Sequence, residues 1–299
     1  MKVSTKIFNG QSVQKLNELT QEIQKSQQQI FTGKRISKPS DDPVSAARSS
    51  IVKDQLARID QYSRNIDLSE VKLKLADSTL DELANLTTRV YELAIAARNQ
   101  TNLDARGSIA IEVEGIRKSM LDLANAKDAS GRSLFAGYQV DIQPFGEDET
   151  GKVQYLGDRG VHSVSISETL ELNTTLDGAE IFQRVPTAEG KKSVFDLVDT
   201  LVTTLKSNVN GELPIDSMKV AASHFADKRA QIGAELNKAG AQRSVLTNRH
   251  SAMTEAVGQI EDADMAEVVT KLQTLMLNKE AAQQSFAMIS RLSLFDYMR

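Results

Sequence analysis

The 299-residue chain contains no cysteine and no tryptophan. Without cysteine there can be no disulfide, no thiolate nucleophile and no sulfur-ligated metal. The same absence leaves the compartment open. Aromatic residues make up 5% of the chain, so a core has to be built largely from aliphatic side chains. The net charge of −4 provides no basic field for nucleic acid. No apolar run approaches the roughly 18 residues of a membrane span. Met1 to Lys6 leads into polar sequence, so no cleavable secretory signal is expected.

Proline is scarce and unevenly placed. Its five positions are 39, 43, 144, 186 and 214, which leaves 44–143 and 215–299 free of helix breakers. Glycine is the reverse case, with seven of sixteen between 137 and 190. The sequence therefore reads as helical arms around a glycine-rich centre.

Apolar periodicity supports that reading. Leu16, Leu19, Ile23 and Ile30 recur at helical spacing in a first helix over 1–35. Residues 36–43 are rich in turn formers, and Asp42-Pro43 fits the N-cap and first position of a second helix. Ile59, Ile66, Leu73 and Leu80 stand seven apart, and Tyr62, Ala76, Leu83 and Val90 fill the other seam position to about Asn99. After a short Asn-Gln-Thr-Asn turn, Ile109, Val113, Ile116, Met120 and Leu123 define a third helix. Between 139 and 190 the period changes to two. Residues 152–156 and 162–166 read as a β-hairpin closed by 157–160, with a third strand near Leu170 and Leu172. Ser193 and Asp196 have capping-box-like spacing for a helix to about Lys206. A long helix from about Asp216 is expected to break near Gly258. The last helix spans about 263–297, with Met265, Val268, Leu272, Leu275, Ala282, Phe286 and Ile289 on one stripe.

The expected fold is mainly α: a long antiparallel helical rod or coiled coil formed by the N- and C-terminal halves, with a small β-rich inserted outer domain. The expected division is 1–43 with 257–299 as terminal assembly domain and hinge, 44–138 with 191–256 as rod domain, and 139–190 as outer domain. A helix of about 40 residues spans about 60 Å and cannot bury its stripe alone. The N-terminal arm holds six basic residues against Glu18 and Glu22, and the C-terminal arm six acidic against four basic. Opposite charge favours the two arms lying side by side and sets partner choice more than strength.

Catalytic chemistry finds little support. His162, His224 and His250 lack metal-ligand spacing and read as surface or packing histidines. Asp41 and Asp42 read as hinge and cap before cation ligands. Lys34 and Arg35 read as partners of acidic groups. Arg132, Lys152 and Arg159 lack aromatic interleaving and form no nucleic-acid patch. The central glycines read as turn residues and not as a phosphate loop. Met265, Met276, Met288 and Met298 suit either plain packing or an interface with several non-identical neighbours.

Several stretches resemble the bacterial flagellin family. Thr32 to Pro43 (TGKRISKPSDDP), containing Gly33, Lys34, Arg35, Ile36, Asp41, Asp42 and Pro43, is similar to its N-terminal signature. Lys228 to Gln242 (KRAQIGAELNKAGAQ) is similar to the returning arm, and Ile260 to Met276 (IEDADMAEVVTKLQTLM) to the start of the C-terminal helix. The ending from Ala281 to Arg299 (AAQQSFAMISRLSLFDYMR) departs from a filament flagellin and resembles the hook–filament junction branch. Gly131 to Phe145 and Val153 to Gly160 resemble that branch's passage into its outer domain. The resemblance implies a non-enzymatic structural protein that acts by helical self-assembly and needs no cofactor or metal. It implies hook-associated protein 1, flagellin, further copies of itself and a flagellar export chaperone as partners. It also implies export through the flagellar type III route to the hook–filament junction. A filament flagellin and a soluble helical type III effector or adaptor are the alternatives.

Overall fold

A computed structural model describes residues 2–98, 103–207 and 213–297. The expected turn at 99–102 and Met298 lie outside the described residues. The side chains of Ile289 and of the Phe295–Tyr297 ending do so too. The chain divides into two compact units, Met1–Arg58 with Arg249–Arg299, and Ile59–Asn248.

In the first unit, α1 (Lys2–Thr32) ends at Gly33. Gly33 has φ +70°, a left-handed conformation that suits a residue without Cβ, and its N–H donates to the Gln29 carbonyl at 2.8 Å. The second helix, α2 (Pro43–Arg98), starts as expected. The Asp42 carboxylate accepts the Ser45 N–H at 3.1 Å, and Pro43 occupies the position whose missing N–H costs nothing. The break expected near Gly258 occurs later. α6 (Ile215–Glu261) stays helical through Gly258, whose carbonyl accepts the Asp262 N–H. The stop signal is Asp264: its carboxylate accepts the N–H groups of Ala266 and Glu267 and caps α7 (Met265–Tyr297). A strong cap downstream therefore outweighs one tolerated glycine.

In the second unit the heptad seam of α2 is the core. Ile59, Ile66, Leu73, Ala76, Leu80, Leu83 and Val90 are buried, and Tyr62 is half-buried. Met218, Phe225, Ile232, Ala239 and Leu246 form the matching buried stripe of α6. Arg229 pairs with Asp77 and Asp81, and Arg243 with Asp67 and Glu70, so the two helices are laced by ion pairs as well. α3 (Leu103–Ala124) packs on α5 (Val194–Lys206). Ser193 caps α5 through the Phe195 N–H. Five of the nine phenylalanines gather in one cluster. Phe182 sits at its centre, with ring centroids 4.8 Å from Phe145 and 5.5 Å from Phe135. Phe195 and Phe225 complete the cluster and tie the strand-bearing region to α5 and α6.

That region holds three two-stranded antiparallel hairpins: β1 (Phe145–Glu147) with β2 (Val153–Tyr155), β3 (Ser163–Ser165) with β4 (Glu171–Asn173), and β5 (Val185–Thr187) with β6 (Gly190–Lys192). The expected pairing of 152–156 with 162–166 is therefore wrong. Asp158 explains why. Its carboxylate accepts the N–H groups of Tyr138 and Gly160, and its own N–H donates to the Ala136 carbonyl. The 157–160 segment is tied back to residues 136–138 and does not close a hairpin. The turn that does close one is Asp148 to Gly151. The Asp148 side chain accepts from Thr150 and Lys152, and Gly151 has φ +80°. Gly146 to Lys152 has the spacing of a phosphate loop, but Val153 follows where Ser or Thr is required, and the segment is a β-turn and not a strand–loop–helix. The β5–β6 hairpin and the five-residue α4 (Gly178–Phe182) carry no periodic signal at all.

Candidate assembly interface

The terminal helices α1 and α7 pack against each other within the first unit. The α1 face is made by Leu16, Leu19, Ile23 and Ile30; Ile23 is buried and the others half-buried. On α7, Val268 and Leu275 are buried, while Leu272, Ala282 and Phe286 are half-buried. These α7 positions step by four, three, seven and four, the spacing of a helix–helix seam. Ile289 continues the spacing, with its side chain outside those described. Each well-buried aliphatic side chain in such a seam contributes about 1.5–3 kcal/mol.

Met265 does not join that seam: it is 42% exposed. With Val269 and Met276 it forms a second apolar strip. At 100° per residue this strip lies roughly 80° around the helix from the seam. Met276 is 54% exposed, and Leu277 and Met288 are more exposed still. On α1, Val13 and Phe31 lie 18 residues apart, five full turns, and so share a face; Phe31 is almost wholly exposed. α1 therefore satisfies one stripe of α7, and apolar surface remains on both helices. Scattered apolar residues need no explanation, but a strip in register along a helix marks an interaction surface.

The root of the helix pair is fixed by a clamp. The Arg35 N–H donates to the Glu261 carbonyl at 2.7 Å, and the Ala263 N–H to the Gly33 carbonyl at 3.0 Å. These two bonds form an antiparallel bridge between the hinge and the α6–α7 link. The Arg35 guanidinium also reaches the Ile260 carbonyl at 2.9 Å and the Asp42 carboxylate at 3.2 Å. The centre of the clamp is Glu261, whose side chain is only 9% exposed. Its carboxylate accepts from Lys34 at 2.9 Å, and from Lys53 and Ser49 on α2. Burial alone would raise its pKa. The hydrogen bonds from Lys53, Ser49 and Lys34 outweigh burial and hold the pKa down at about 2.

The remaining hinge residues have local tasks. Asp41 accepts the N–H groups of Ser37 and Lys38 and pairs with Lys25 of α1 at 3.0 Å. The Lys25 bond leads the causes that lower its pKa. Asp42 is lowered to about 2, first by its bonds to Ser45 and then by Arg35. Ile36 is buried at the turn. The hinge signature is thus brought together with Glu261, Ser49 and Lys53. These last three were not picked out from sequence. Ser49 and Lys53 lie more than 200 positions from Glu261, and only the charge excess of the C-terminal arm hinted at the pairing.

Among the described residues, no helix is long and apolar enough to cross a membrane, and no group of three or more His, Asp or Glu is placed to hold a metal ion.

Comparison with known proteins agrees with this geometry. The bacterial flagellin N-terminal helical region matches residues 3–140, and the bacterial flagellin C-terminal helical region matches 215–298. The chain is 27% identical to flagellar hook-associated protein 3 of Salmonella typhimurium, over 100% of both chains. It is 26% identical to flagellar hook-associated protein 3 of Escherichia coli, over 99% of both. The crystal structure of the flagellar junction protein FlgL from Legionella pneumophila shares the fold with a TM-score of 0.62 and 15% identity, covering 72% of this chain and 100% of that one. The two family matches together span most of the chain and include both terminal helices, the hinge and the clamp. The chain therefore belongs to the bacterial flagellin family, as a structural component of the flagellum.

Proposed function

We propose that this chain is the structural adaptor that joins the flagellar hook to the flagellin filament, with no catalytic activity. The observation that carries the reading is the apolar strip Met265–Val269–Met276, still uncovered after α1 has filled the α7 seam. It gives each subunit a surface for a neighbour beyond its own arm. Methionine suits such a surface, because an unbranched side chain repacks against non-identical partners. The neighbours are hook-associated protein 1 on one side, flagellin on the other, and further copies of this chain around the ring. Before assembly a flagellar export chaperone covers the C-terminal helix, and the chain leaves by the flagellar type III route. The lack of cysteine suits passage as an unfolded chain.

In this reading 1–43 with 257–299 is the assembly domain and hinge, 44–138 with 191–256 the rod, and 139–190 the outer domain. Leu16, Leu19, Ile23, Ile30, Val268, Leu272, Leu275, Phe286 and Ile289 hold the arms together. The clamp on Gly33, Lys34, Arg35, Ile36, Asp41, Asp42 and Pro43 sets their direction. Met265 acts outward.

A cell lacking the chain tests the function. The expected result is hooks without filaments and flagellin lost to the medium. Normal motility would overturn the reading. Bulk elongation of filaments by the purified chain would identify it as a filament flagellin instead.

A further inference from the structure

A cleft of about 410 Å³ lies in the second unit where α2, the β4–α4 link and α6 meet. Its volume is within the range of sites that take a small ligand or a single large side chain. Leu73, Leu176 and Ile232 give it an apolar wall. Its charged lining is Asp177, Glu180, Glu235 and Lys228. Lys228 is committed: its side chain is 8% exposed and its ammonium pairs with Glu180 and contacts Gln231 at 3.4 Å. One Asp177 oxygen caps α4 through the Ala179 N–H at 2.8 Å. Glu235 is least satisfied. Its Oε1 accepts a long 3.4 Å bond from Asn173, and its buried Oε2 has no hydrogen bond. The nearest cation, Lys238, stands 3.6 Å from Oε2 and gives a hydrogen to the Glu171 carbonyl. The cleft thus combines an apolar wall with two carboxylates: Asp177, which forms no ion pair among the described residues, and Glu235, whose Oε2 has only the 3.6 Å Lys238 contact and no hydrogen bond.

That combination fits an aliphatic stem ending in a positive charge. An arginine or lysine side chain lays its methylenes on apolar surface and keeps its head polar. It also supplies the donor that a buried carboxylate oxygen needs. The same unit presents such side chains. Arg132, Arg159 and Lys191 are exposed and form no ion pair among the described residues. The molecule therefore carries both the socket and exposed side chains of complementary charge. We propose that this cleft receives a basic side chain of a second copy of the chain, its stem on the Leu73–Leu176–Ile232 wall and its head against Asp177 and Glu235. The occupant rests on the self-assembly proposed above; the cation-binding cleft does not.

The cleft is tested on the dilute full chain with butylguanidinium, using uncharged butylurea as control and amide spectra as readout. Saturable shifts at Leu176, Ile232 and Glu235 are expected with butylguanidinium. Butylurea, and butylguanidinium on Glu235→Gln, should bind at least about ten-fold more weakly, the scale of losing one charged hydrogen-bond partner. Equal response to butylurea, an unaffected E235Q or no saturable shift overturns the site. The occupant is tested by sedimentation of the concentrated chain. Association that weakens in salt and falls in E235Q is expected. Wild type and E235Q associating equally overturns the occupant. A wild type that does not associate overturns both the occupant and the self-assembly reading, and leaves the probe result to judge the cleft.

Discussion

Glu261→Gln removes the charge at the centre of the clamp and keeps the shape of the side chain. A carboxyl held at about 2 instead of its ordinary 4.5 corresponds to roughly 3 kcal/mol of interaction with its surroundings. Lys34 and Lys53 are each 48% exposed, so solvent screening reduces this to about 1–2 kcal/mol. The bridge amides of Arg35 and Ala263 should then exchange with deuterium about 5- to 30-fold faster in E261Q. The Phe145 amide, bonded to the Asn125 side chain in the second unit, should not change. The folded pKa lies below the ordinary value, so the contribution is complete above 4.5 and fades as pH falls toward 2. Wild type should lose bridge protection in that window, and E261Q should already lack it. Unchanged exchange at Arg35 and Ala263, or the same acid profile in both proteins, would refute the assignment of Glu261 as the clamp.

Other perturbations address the second unit. Phe182→Ala removes the ring at the centre of the phenylalanine cluster and should cost about 3–5 kcal/mol, read as a lower urea midpoint for Ile59–Asn248. Gly137→Ala places a Cβ 2.1 Å from the Asp158 carboxylate at φ +72°; a loss of about 2–4 kcal/mol by the same measurement is expected. His224 is buried, with Nε2 at 3.1 Å from the Glu180 and Ile181 carbonyls, and burial lowers its pKa below 6.5. Lys228 also lowers it, while those carbonyls and Asp227 oppose the shift. The neutral ring is the folded form, so stability is complete above 6.5 and falls as pH drops below it. His224→Gln should flatten that dependence in a urea series between pH 7 and 5.

The helices were legible because each has a periodic stripe and a local start or stop. Asp42-Pro43, Ser193 and the seven-residue spacing from Ile59 to Leu80 are read within one or two turns of chain. The end of α6 was misplaced because Gly258 is a weak breaker and the Asp264 cap lay beyond it. The strand region was harder. Its strands are three residues long, too short for a period of two to register, and its pairings follow from Asp148 and Asp158 side chains that bond to backbone. The assembly face was partly legible. A stripe from Met265 to Ile289 is visible in sequence, but its division into a seam that α1 covers and a strip left exposed depends on where α1 lies. The clamp was least legible, because no local pattern links Glu261 to Ser49 and Lys53.

The central claim is that the uncovered strip of α7 carries assembly, separately from the seam that holds the arms together. Met276→Glu tests it most directly, since Met276 is 54% exposed and its replacement leaves the α1–α7 seam intact. Cells carrying this variant should be assayed for the exported chain in the medium and for filaments on their hooks. The account predicts export at the wild-type level with filaments lost, and bridge amides that exchange as in wild type. Filaments retained at the wild-type level would contradict it.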